Sequence, residues 1–187
     1  MVARLPEWIP DCALTYLAHT AGGLPIRALA RAKGCHASTV LRQIRRLEAR
    51  RDDPLVDEAL ESLARVATAE SVRSAVSREF ASMPKPAVSP KADPDARIER
   101  EARRILRRLC EKGAILAVSP EMEKAVVLRE VVPGRQNRIA VVDRDVAHAF
   151  ALQDWITCNR AGKIACYEIT AAGRAALKRL LTDERQA

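Results

Sequence analysis

Residues Ile26–Arg51 read IRALARAKGCHASTVLRQIRRLEARR. The spacing predicts two short helices joined by a tight turn. The first covers roughly Ile26–Lys33, with Ile26, Leu29 and Ala30 at apolar spacing. Gly34 ends it, because glycine enters the left-handed conformation without steric cost. The second runs from Ala37 to about Ala49. At about 100° per residue, Val40, Ile44 and Leu47 fall on one side. Ser38, Arg42, Arg45 and Ala49 fall on the other, with Arg46 and Thr39 at its margin. An apolar stripe backed by small polar residues and arginines suits a helix lying in a DNA major groove. The plainer alternative is a helical hairpin in an all-α core, with a solvated basic face.

Charge singles out the same stretch. The chain of 187 residues carries a formal charge of +8, which favours an anionic partner. Leu24–Arg51 holds eight Lys/Arg against one acid, Glu48, so 8 − 1 = +7 sits there. Residues 52–83 are acidic in balance. Length predicts one or two domains. At 48% hydrophobic but only 3% aromatic, any core must be built from aliphatic residues and alanine. No stretch reaches transmembrane length. The N-terminus carries Pro6, Trp8 and Pro10 where a signal peptide would need an apolar run. The expected location is cytoplasmic, at the nucleoid.

The enzyme class has little behind it. There is no HExxH, GxSxG or phosphate-binding glycine loop. Cys12, Cys35, Cys110, Cys158 and Cys166 are widely spaced, and His19, His36 and His148 complete no zinc set. They read as small buried hydrophobes in a reducing compartment, and Cys35–His36 as two turn residues. No catalytic residue, metal or cofactor is expected.

Along the chain, Asp11 is placed to cap a helix of about Cys12–His19, stopped by Gly22–Gly23. Three helices then span Asp11–Arg51. Pro54 starts a further helix to Val66, and Thr68 caps one to about Met83. These either pack back on the trihelical unit or pair between subunits, so a homodimer stays open. Pro84–Pro94, PKPAVSPKADP, reads as a linker. The domains are therefore 1–83, a linker 84–94, and 95–187.

Asp95–Lys112 is a helix with Ile98, Ala102, Ile105, Leu106 and Leu109 inside. Arg100, Arg103, Arg104, Arg107 and Arg108 lie outside, read as a solvated face paired with Glu99, Glu101 and Glu111. Strands are expected at Ala114–Val118, Ala125–Val132 and Ile164–Ile169, with Ile139–Val142 a short strand or extended entry and Arg160–Lys163 a turn after Trp155–Asn159. Asp143 should cap a helix over Arg144–Asp154, and Thr170 one to Leu181. The fold class expected is mainly α with a smaller β component: an N-terminal helix-turn-helix bundle and a C-terminal winged-helix-like α+β domain.

Ala30, Gly34, Cys35, Val40 and Ile44 resemble the helix-turn-helix pattern of bacterial DNA-binding regulators. Lys33 departs from it, since that position is usually small or apolar. The resemblance implies base contacts from His36, Ala37, Ser38, Thr39 and Arg42. Arg42, Arg45 and Arg46 would supply both phosphate anchoring and base contacts, and Arg27 and Arg50 are further candidate DNA contacts. Ile169, Thr170, Gly173 and Arg174 resemble the end of winged-helix domains, which puts Arg160 and Lys163 on a wing tip facing phosphate or a minor groove. Asp143, Asp145 and Asp154 would repel a phosphate backbone, so this domain is not expected to read bases.

The order of parts, through EARRILRRL, RIAVVDRDVAHAF and YEITAAGRAALKRLL, is similar to the N-terminal half of a group of alphaproteobacterial transcription factors. That group includes the activator of gene transfer agent production. The resemblance implies a promoter-binding activator of gene transfer agent or phage-like genes, with duplex DNA and RNA polymerase as partners. The alternative is a protein adaptor, for example on RNA polymerase, that keeps the fold without reading bases.

Overall fold

The computed structural model of the chain describes residues 6–66, 94–132 and 134–186. The fold is mixed α+β, with seven helices and a five-stranded antiparallel sheet among the described residues. Two compact units separate: Met1–Asp52 with Val56–Ala92, and Asp53–Leu55 with Asp93–Ala187. The helix expected over Thr68–Met83 and the linker 84–94, except Pro94, lie outside the described residues.

The first unit begins with α1 (Asp11–Thr20), α2 (Ile26–Ala32) and α3 (Ala37–Glu48). α3 packs on both α1 and α2. Its apolar stripe, Val40, Ile44 and Leu47, is buried, as are Leu29 and Ala30 of α2 and Leu14 and Leu17 of α1. Gly34 has φ +59°, the left-handed turn expected between the helices. α4 (Pro54–Val66) follows. Asp53 Oδ1 accepts the Leu55 N–H at 3.0 Å, the capping role suited to the residue before a first-turn proline.

One capping assignment is corrected here. Pro10, not Asp11, occupies the N-cap of α1, and no side chain caps it. The Asp11 carboxylate instead takes the Lys33 ammonium and, at 3.4 Å, the Gln43 amide.

In the second unit, α5 (Pro94–Leu109) is followed by β1 (Ala114–Val118), β2 (Lys124–Val132) and β3 (Arg135–Asp143). After them come α6 (Arg144–Leu152), β4 (Ile156–Arg160), β5 (Ala165–Ile169) and α7 (Ala171–Gln186). The sheet order is β3-β2-β1-β5-β4. β1 is central, and α6 carries the chain from one edge to the other. α5 and α6 cover one face, over buried Leu116, Val127, Ile156 and Tyr167. The inner stripe of α5 is buried at all five expected positions.

β3 begins at Arg135, four residues before the expected start, because β2 pairs with the polar run Arg135–Arg138. Cross-strand hydrogen bonding overrides the weak strand preference of those residues. Asp143 precedes α6 but makes no side-chain cap. Its carboxylate is held by Arg97 at 2.7 Å and Lys124 at 3.3 Å. Thr170 does cap α7, its Oγ1 accepting the Gly173 N–H at 3.0 Å. The β4–β5 hairpin stands where a wing was expected, as one edge of the five-stranded sheet.

Candidate nucleic-acid interface

Burying Val40, Ile44 and Leu47 turns the opposite side of α3 to solvent. Ser38, Arg42, Arg45 and Arg46 are all exposed, and Ala37 and Thr39 are half-buried. Ser38 and Arg45 are seven residues apart, about 10 Å along the helix axis. The side chains of Arg42 and Arg45 form no ion pair or hydrogen bond among the described residues. Arg27 is exposed on α2. Arg50 lies just beyond α3, half-buried, its N–H on the Leu47 carbonyl at 3.0 Å.

His36 is exposed at the start of α3. It is the N-cap of α3. Its Nδ1 lies 3.3 Å from the Ser38 nitrogen and 2.8 Å from Ser38 Oγ. Histidine is outside the usual capping set, so the sequence carried no signal for this role.

A polar cluster that sequence reasoning missed fixes α3 against its neighbours. The Lys33 ammonium, only 10% exposed, is paired with Asp11 and donates to Thr15 Oγ1 at 2.7 Å. Thr15 is fully buried and donates to the Asp11 carbonyl at 2.8 Å. Gln43 reaches Asp11 from α3 itself, and its Oε1 is buried without a partner among the described residues. Lys33, the residue that broke the family pattern, thus links the end of α2 to the start of α1, with α3 joined through Gln43.

The other candidates belong to the C-terminal unit. Arg160 lies at the end of β4 and donates to Cys166 Sγ at 3.0 Å. Lys163 is exposed in the turn before β5. The acidic patch is not a free one. Arg97 bridges Asp143 and Asp145, each at 2.7 Å. Burial works against charge on Asp143, but Lys124 and Arg97 prevail and hold its carboxyl below the ordinary range. Arg144 donates to the Ser119 and Met122 carbonyls.

On α5, Arg104 pairs with Glu101, and Arg108 with Glu111, which also takes Arg129. Arg100, Arg103 and Arg107 have no acidic partner among the described residues. Among the described residues, the expected acidic pairing along α5 covers two of the five arginines.

The cysteine reading is also corrected. All five are free, but only Cys166 is buried and Cys110 is exposed. Among the described residues, no group of three His, Cys, Asp or Glu is placed to hold a metal ion. None of their helices is long and apolar enough to cross a membrane. No protein-family model, curated protein or solved structure matches the chain.

Proposed function

We propose that the chain is a sequence-specific duplex-DNA-binding transcriptional regulator, in which α2, the Gly34 turn and α3 act as a helix-turn-helix. The observation that carries the reading is the outward row of α3. Four exposed side chains, Ser38, Arg42, Arg45 and Arg46, back a fully apolar buried stripe. Guanidinium groups on such a row suit phosphates and guanine edges, and Ser38 suits either base type. The segment carrying +7 of the chain's charge is this one. Promoter activation of gene transfer agent or phage-like genes, with RNA polymerase as a second partner, is the role proposed from the resemblance.

The β4–β5 hairpin and the Thr170-capped start of α7 support a winged-helix-like reading of the C-terminal unit. Its five-stranded order goes beyond that pattern, so recognition is assigned to α3. A protein-adaptor role drew on Asp143 and Asp145, whose charge Arg97 and Lys124 already take up.

The test is a mobility-shift titration across salt on a selected binding site. Arg42→Ala and Arg46→Ala should each reduce the salt slope by about 0.9 for a lost phosphate contact. Ser38→Ala should relax sequence preference, at about 1–3 kcal/mol for a lost base contact. Unchanged duplex affinity in Arg42→Ala and Arg46→Ala would remove the reading.

A further inference from the structure

The β2–β3 pair outruns the sheet. Pairing with β1 ends at Ala114↔Arg129, while β2 and β3 continue through Glu130↔Gln136 and Val132↔Arg135. Every described residue of this ribbon, from Glu130 to Arg138, is exposed. Val131 and Val132 are 52% and 55% exposed. A two-stranded ribbon with apolar side chains in water contributes little to folding.

Each face of the ribbon carries one arginine, with Glu130 on the face of Arg138. Arg135 and Arg138 are three positions apart on one strand, so they project to opposite faces. Neither side chain forms an ion pair or hydrogen bond among the described residues. The ribbon's carboxylate, Glu130, accepts the Gly134 N–H at 2.9 Å. At the root, the Gly113 carbonyl accepts the Glu130 N–H at 3.3 Å, which sets exposed Lys112 beside the ribbon.

We infer that the ribbon Glu130–Arg138 is a second duplex-DNA-binding element, with Arg135, Arg138 and Lys112 holding phosphates while the ribbon lies in a groove. The choice of duplex rests on the DNA-binding reading of α3. The major groove admits a two-stranded ribbon, and its walls present phosphates on both sides. Cations on both faces fit that geometry, whereas an acidic protein surface would meet only one face.

The experiment is salt titration of the full chain on duplexes of unrelated sequence. Arg135→Ala and Arg138→Ala should each lower the slope by about 0.9, and the triple variant with Lys112→Ala by about 2 to 3. The loss should be the same on every sequence. Arg135→Lys and Arg138→Lys should restore the slope, because phosphate accepts a point charge where a base edge requires the planar fork. Wild-type slopes in the alanine variants would overturn the inference, as would failure of lysine to rescue. Arg42→Ala/Arg45→Ala is titrated alongside. A slope lost only there keeps α3 and overturns the ribbon. A slope lost only in the ribbon variants keeps the ribbon and overturns α3.

Discussion

Lys33 shows how one residue can look wrong in a motif and still be required. In the sequence it occupies a position where a small or apolar side chain is usual. In the fold its long stem reaches a site where Asp11 and Thr15 take the ammonium. Removing one partner of a part-buried polar set leaves the others undersatisfied. Lys33→Ala should therefore lower urea stability by about 1–3 kcal/mol, and a surface-like change near zero would show the cluster contributes nothing. Tyr167 is held in a comparable way. Its hydroxyl donates to Asp53 at 2.8 Å and accepts the Leu55 N–H at 3.2 Å. Burial first, and then the Asp53 carboxylate, push its ionisation up, so it remains a neutral donor.

At the scale of elements, Gly173 separates helix propensity from packing. It lies in the first turn of α7, where alanine would ordinarily stabilise by about 1 kcal/mol. A Cβ there would sit 2.2 Å from the Trp155 carbonyl oxygen, a backbone atom that has no rotamer to change. Gly173→Ala should thus destabilise by about 1–3 kcal/mol or more, and a raised melting temperature would refute the close approach. The sequence marked this glycine only through its place in Thr170–Arg174; the Trp155 backbone supplies the reason. α3 contrasts with this case. Its buried and exposed faces follow from periodicity alone, because a helix shows one side to its neighbours whatever those neighbours are.

At the scale of the whole molecule, two paired carboxylates, Glu111 and Asp143, contribute to the response to acid. Glu111 is lowered first by its hydrogen bond from Arg108, then by Arg129, against a burial effect that raises it. Asp143 is lowered against burial by Lys124 and Arg97. A carboxylate with a depressed folded-state pKa stabilises fully above its unfolded value. That contribution is lost as pH falls through the folded one. The stability difference between wild type and a Glu111→Gln/Asp143→Asn variant should be present at neutral pH and shrink below about pH 4. A constant difference across that range in urea titrations would show that these pairs do not titrate with folding.

The long periodic elements were legible in the residues alone: α3 with its basic outer row, α5 with its five buried positions, and the strands β1 and β2. Hydrophobic spacing is a local property, and it survives whatever the element packs against. The sequence also places most of the net charge on Leu24–Arg51. Tertiary contacts alone extend β3 over Arg135–Arg138, bridge Asp143 and Asp145 through Arg97, and close Lys33 on Asp11. Each of these needs a partner brought from a distance along the chain: β2 across a turn, a carboxylate 46 residues away, or one 22 residues away. Spacing along a strand or helix carries no trace of such partners, because the contact exists only once the chain has closed on itself.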